Sequence, residues 1–298
     1  MLMLKPYDLF ENILLDIENG IKNNINASIL SKKYSFSEVH LRRLFSFAFK
    51  QTISAYIRSR ILAASLNDLL KTDTNILDIA LEYGFEYEQS YIRAFKREFG
   101  ITPGDLRKKR QIVKIKPPLH LFDENKLDDG VLFGPDIVIV PQFHLIGKRH
   151  LIPFEDSTEM APRVGKQFWE NERKEIKDAV NPNVYIGLTG NINLEEKNSE
   201  YTPSVQVGNL KNIPHGFTGD TFKTSMCAKF RYMGQHHYYD INKKTASRMY
   251  AAIKNFAQNE HAKYVLLNDK TYFEMIDTKL YDGTYCQMEW YAPVLEKQ

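Results

Sequence analysis

Two short stretches of the 298-residue chain carry side chains whose type and spacing suit the base edges and phosphates of a duplex. In the first, Val39, Arg42, Arg43 and Ser46 fall on one side of a helix and include two adjacent guanidinium forks. Such forks bridge guanine O6 and N7 or grip phosphates, and a valine methyl can meet the methyl of thymine. In the second, Glu88 and Gln89 open a helix whose outer side continues with Arg93, Lys96 and Arg97. Gln pairs bidentately with adenine, and Glu accepts from cytosine N4. One such face alone reads first as a solvated surface. Two copies with matching basic residues on matching faces point instead to double-stranded DNA.

A third constellation is of another kind. In the run TYCQMEWYAPV, a period of two puts Cys286, Met288 and Trp290 on one side of a strand and Tyr285, Gln287, Glu289 and Tyr291 on the other. The first side reads as core. The second sets the Glu289 carboxylate between aromatic rings, which suits an organic cation through charge and ring-face attraction; a solvated strand face is the plain alternative. Pairing with TYFEMID could bring Tyr272 or Glu274 near. Trp169, in the helix QFWENERKEI, is a candidate to cap such a pocket, or else a core tryptophan. His215, His236 and His237 lack metal-ligand spacing, because neighbours along a strand point to opposite faces and no cysteine supports them. No metal or other cofactor is expected. From Asp136 onward there is no GxGxxG, GKS/T, GxSxG or HExxH pattern, so phosphate-loop, common hydrolase and zinc-protease readings have no support.

The elements that must hold these groups follow from periodicity. Leu41, Leu44, Phe45 and Ala48 recur at i, i+3, i+4 and i+7, which turns the Val39–Ser46 set outward. A helix over 27–33, the turn Tyr34-Ser35-Phe36 and this second helix, capped by Ser37, make a helix-turn-helix. A second unit has its turn bracketed by Ala80 and Gly84 and its core side at Ala94, Phe95 and Phe99. The two are copies: HLRRLF at 40–45 returns as SYIRAF at 90–95, Phe49 as Phe99 and Thr52 as Thr102. A long helix over 53–71 bridges them, and Leu9, Phe10, Ile13, Leu14, Ile17 and Ile21 mark a first helix ending at Gly20 or Asn23-Asn24. After Arg110, residues 111–134 mix proline, glycine and acids and read as a linker. Over 135–298 the runs IVIV, VYIGL, KYVLL, TYFEMI and CQMEWYA alternate with helical stretches near 162–180 and 243–259. The expected fold class is an all-α N-terminal domain over 1–110 with two helix-turn-helix units, and an α+β C-terminal domain with an antiparallel sheet and two helices.

Charge agrees with that division. Residues 28–110 hold 15 Lys and Arg against 9 Asp and Glu, whereas residues 111–298 hold 23 against 24, so a polyanion should meet the first third. No run approaches the roughly 18 apolar residues of a membrane span, and no membrane partner is expected. The start carries Asp8, Glu11, Asp16 and Glu18 where a secretory signal would be apolar. Two cysteines make no disulfide framework, so the expected compartment is the reducing cytoplasm.

The run ILDIALEYGF followed by EYEQSYIRAFKREFGITPGDLRK resembles the signature of the AraC/XylS family of transcription regulators, over about residues 8–110. By that resemblance each second helix enters one of two successive major grooves, with base reading at Val39, Arg42 and Arg43, then Glu88, Gln89 and Arg93. Ser35 and Lys50 stand where the family often has glycine, and Tyr87 stands at a usual polar cap position. Residues 136–296, from DIVIVPQFHLIGKRH to FEMIDTKLYDGTYCQMEWYAPV, resemble more loosely the GyrI-like small-molecule-binding fold. That family has two strand–helix–strand–strand halves around a ligand cleft. The resemblance places its acidic ligand residue at Glu289 in E-x-x-x-P-V, with Glu274 and Asp277 weakly matched to FE-x-x-D.

These readings imply a cytoplasmic transcription regulator that binds double-stranded DNA, responds to a small hydrophobic, possibly cationic effector held by Glu289, Tyr291, Trp169, Glu274 and Tyr272, and has RNA polymerase as a further partner. Two alternatives stand beside it: a hydrolase with Glu289 as general base, and a protein-interaction module with a flat strand face.

Overall fold

The computed structural model describes residues 4–241, 243–258, 263–267, 271–281 and 283–297. Asp8–Phe122 forms one unit, and the chain on either side of it forms the other.

The first unit is helical: α1 (Pro6–Asn19), α2 (Ala27–Lys33), α3 (Glu38–Phe49), α4 (Ile53–Lys71), α5 (Ile76–Glu82), α6 (Glu88–Phe99) and α7 (Pro103–Lys109). Short polar side chains start most of them by accepting from amides of the first turn: Asn26 from Ile29, Ser37 from His40, Thr52 from Ala55, Asn75 from Asp78 and Thr102 from Asp105. Tyr87, before α6, makes no such bond. The pairs α2–α3 and α5–α6 are the two helix-turn-helix copies, fifty residues apart. Gly84 (φ 77°) and Gly100 (φ 75°) take the left-handed backbone at the turn and helix end of the second copy. In the first copy Ser35 (φ 59°) and Lys50 (φ 56°) hold the same conformation without glycine. The ring pairs match as well, with Phe45–Phe49 and Phe95–Phe99 both 4.7 Å apart. The expected linker divides: residues 111–122 pack with the helices, where Arg60 Nη1 donates to the Lys116 carbonyl at 3.0 Å and Leu119 N to Tyr56 Oη at 3.1 Å.

The second unit contains β1 (Gly130–Val140), β2 (Phe143–Gly147), β3 (His150–Pro153), α8 (Ser157–Glu170), β4 (Val184–Asn193), β5 (Asn198–Val207), β6 (Thr218–Phe222), β7 (Ser225–Gly234), α9 (Lys243–Gln258), β8 (Tyr264–Leu266), β9 (Tyr272–Asp277) and β10 (Cys286–Glu296). Its first strand thus begins before 135. The helix expected near 162–180 lies at α8, and residue 259 lies outside the described residues. Among the described residues the antiparallel sheet runs β1-β7-β10-β9-β4-β5-β2-β6, with β3 on β5 and β8 on β10. Two stretches of similar order, β3–α8–β4–β5 and β7–α9–β9–β10, the second with the short β8 inserted between α9 and β9, meet where β4 pairs with β9. The main core fills the space between sheet and helices with Phe168, Trp169, Tyr185, Met249, Ile276, Met288 and Trp290. Among the described residues no helix is long and apolar enough to cross a membrane.

Candidate functional site

In the helical unit, Leu41, Leu44, Phe45 and Ala48 bury one side of α3, and Tyr91, Ala94 and Phe95 bury one side of α6. That fixes what the other sides present. Val39 is 78% exposed. Arg42 is exposed and pairs with Glu38 one turn earlier at 2.9 Å, while Arg43 and Ser46 are half-buried. On α6, Gln89, Arg93, Lys96 and Arg97 are exposed, and Glu88 is half-buried in the first turn.

In the sheet unit, a cavity of about 460 Å³ is lined by residues of α8, α9 and the strands around the β4–β9 pair. Glu274, 9% exposed, reaches it from β9. Tyr201 Oη donates to Glu274 Oε1 at 2.6 Å, and the hydroxyls of Tyr185 and Tyr201 lie 2.5 Å apart. No Lys, Arg or His is among the described residues lining the cavity. Burial pushes the Glu274 carboxyl up to about 7 despite the opposing hydrogen bond from Tyr201. The same burial raises both tyrosines well above their ordinary range.

The aromatic wall is ordered. Tyr250 stands edge-on to Tyr272 at 5.2 Å and to Trp290 at 5.8 Å, while Tyr272 and Trp290 lie 6.1 Å apart and 23° from parallel. Two glycines keep the acidic end open. A Cβ on Gly187 would collide with the Glu274 carboxylate and approach the Tyr201 hydroxyl. One on Gly165 would sit 2.7 Å from Tyr185 Oη. Buried carboxylate, hydroxyl chain and ring faces together suit a ligand that is largely apolar and carries one positive charge.

The expected effector set is therefore divided. Tyr272 and Glu274 line the cavity; Glu289, Tyr291 and Trp169 do not. The reason is register: β10 pairs with β9 so that Trp290 opposes Glu274 and Glu289 opposes Met275, which puts Glu289 on the other face. There Lys229 Nζ lies 2.7 Å from Glu289, Tyr291 Oη donates to Glu289 at 2.6 Å, and the Tyr291 ring stacks on Phe273 at 4.6 Å. Its charge is already compensated. Trp169 belongs to the core, edge-on to Tyr185 at 6.0 Å, with the Arg173 guanidinium 4.0 Å above its ring. The side read as core, Cys286, Met288 and Trp290, is buried, and Met288 and Trp290 also face the cavity. Tyr185, Tyr201 and Tyr250 were not expected there. One signal pointed toward the site: Gly187 interrupts an apolar strand run, a mark of close approach by another group. The three histidines form no metal constellation; His236 Nε2 is hydrogen-bonded to Tyr232 Oη at 2.7 Å.

Comparison with known proteins adds a family. The model described as "Helix-turn-helix domain" matches residues 30–109. The regulatory protein SoxS of Salmonella typhimurium is 33% identical over 99 residues, which cover 33% of this chain and 92% of that protein. The chain belongs to the AraC/XylS family of transcription regulators. Another relative is the right origin-binding protein of Escherichia coli K12, 35% identical over 135 residues, or 42% of this chain. This AraC/XylS chain spans about half the length of that relative, 47% of it. Among solved structures, SAV2435 bound to tetraphenylphosphonium is similar at a TM-score of 0.42 and 14% identity, covering 55% of this chain and 94% of that one.

Proposed function

We propose that the protein is a DNA-binding transcription regulator whose second unit, of GyrI-like type, responds to a lipophilic organic cation. In the helical unit, α3 and α6 each enter a major groove, with Val39, Arg42, Arg43, Glu88, Gln89 and Arg93 at base edges and Ser46, Lys96 and Arg97 at the backbone. In the second unit, Glu274 supplies the compensating charge and Tyr250, Tyr272 and Trp290 the ring faces. One observation carries the effector reading: a buried carboxylate opens into an aromatic cavity whose described lining holds no cation. An isolated charge there is costly, and a ligand that brings the opposite charge relieves that cost. A ligand alters DNA binding only by its difference in affinity for two states of the protein.

The test uses both tryptophans as reporters, since Trp290 lines the cavity and Trp169 sits in the core beside it. Quaternary aromatic cations should quench fluorescence saturably in the full chain and be recovered unchanged by mass spectrometry. Glu274→Gln should weaken them by about a hundredfold, the rough cost of removing one partner of a buried ion pair, and spare neutral analogues. Equal loss for both classes would sink the charge argument. The hydroxyl–carboxylate chain Tyr185–Tyr201–Glu274 favours a second reading, general acid–base hydrolysis, and there the mass spectra would show conversion.

A further inference from the structure

Near its end the helical unit carries a run, RKKRQIVKIK at 107–116, with six basic residues and no acid. The structure divides these six by what they already hold. Arg107 is turned inward, donating from Nε to the Leu69 carbonyl at 2.9 Å and from Nη2 to the Thr74 carbonyl at 2.7 Å. Lys116 is paired with Glu98 at 3.2 Å. Lys108, Lys109, Arg110 and Lys114 are exposed, and none of the four side chains makes a hydrogen bond or ion pair among the described residues. Arg110 takes a left-handed backbone (φ 48°), ends α7 and turns the chain into the extended segment that follows. The segment is not a loose tail, because Arg60 and Tyr56 hold its backbone at Lys116 and Leu119 and Val113 packs on the core of the second helix-turn-helix copy.

The position of this ridge is informative. α7 packs against α6, and after the Thr102 hydroxyl the nearby charges of Lys109, Lys108 and Lys96 help hold the Asp105 carboxyl below its ordinary range. Asp105 itself is engaged locally, accepting from Thr102 Oγ1 at 2.6 Å. The basic end of α7 therefore stands beside the helix assigned to the groove, and Lys116 touches Glu98 near the far end of that helix.

We infer that Lys108, Lys109, Arg110 and Lys114 form a phosphate-binding ridge that grips the DNA backbone flanking the groove occupied by α6, anchoring the second helix-turn-helix without reading sequence. The inference rests on the DNA-binding reading and adds a surface to it. Its chemistry is that of a polyanionic backbone: point-like ammonium charges and one guanidinium along an extended chain, with exposed Gln111 and Ile112 between them and no carboxylate in the run.

The experiment is a salt titration of DNA affinity for the full chain. Each phosphate contact contributes roughly 0.9 to the slope of log K against log salt, so K108Q/K109Q/R110Q/K114Q should flatten the slope by about 3 to 4. Affinity should fall by the same factor on the selected site and on random DNA, leaving the ratio between them unchanged. The charge-preserving K108R/K109R/K114R should keep the wild-type slope, and Lys71→Gln, which removes an exposed charge at the end of α4, should also keep it. An unchanged slope in the fourfold variant overturns the ridge, as does a loss confined to the selected site. Failure of the parent reading looks different: wild type itself would show no preference for any selected sequence.

Discussion

At the scale of single residues, the helical unit carries small local costs that substitution can remove. Tyr87 opens α6 without accepting an amide, whereas the other copy has Ser37 bonded to the His40 amide. Tyr87→Ser should stabilise the helical unit by about 1 kcal/mol, seen as a higher melting temperature; no gain would mean the first-turn amides are satisfied otherwise. Glu274 makes the opposite kind of statement. Its carboxyl sits at about 7 in the folded protein against an ordinary 4.5, so the folded state binds more protons between those values. Stability should then fall as pH rises from about 4.5 to about 7, by up to about 3 kcal/mol, and stay at that lower level above it. Affinity for a permanent cation should run the other way, dropping roughly tenfold per pH unit below about 7 as the site protonates. Glu274→Gln should flatten both profiles, which chemical denaturation and fluorescence titration across pH 4–8 would measure.

At the scale of elements, the cavity depends on the strand pair β4–β9. Gly187 opposes Glu274 in that register, and the space a side chain would fill is where the carboxylate and the Tyr201 hydroxyl lie. Gly187→Ala should cost roughly 1–3 kcal/mol and reduce cation binding more than unfolding alone explains, because the methyl displaces the acid from its hydroxyl partner. Calorimetry and ligand titration on the same variant separate the two effects. Wild-type values for both would place the Glu274 side chain elsewhere. The helix-turn-helix elements were legible in the sequence for physical reasons: caps, periodic apolar residues and turn residues act over four to seven positions. The strands were less so. The run over β5, with Pro203 inside it and five consecutive buried residues, lacks alternation, and β7 mixes Lys229 and Arg231 into a buried strand. Their pairing partners, distant in sequence, stabilise these strands more than local preference does.

At the scale of the whole molecule, the proposed function has two helix-turn-helix copies, joined by the long helix α4, address two successive major grooves with one chain. Binding-site selection should return a non-palindromic site with two elements about 10 base pairs apart. Arg43→Ala should blur one base position at a cost of about 1–3 kcal/mol, and an unaltered preference in that variant would remove Arg43 from the base-reading set. The ridge after α7 would act across all sequences alike, so the two kinds of loss are separable in one set of titrations.

What the sequence determined by itself is what short-range chemistry determines: two copies of a capped, amphipathic helix pair, the faces they expose, the family they belong to, and a second unit rich in strands. Tertiary structure alone decided which carboxylate serves the cavity. Alternation along β10 separated two faces correctly but could not say which one the helices cover. The pairing of Trp290 with Glu274, and of Glu289 with the face that already holds Lys229, settled that. A strand has two equivalent sides by local geometry, and only long-range pairing and the helices packed on one of them make the sides different.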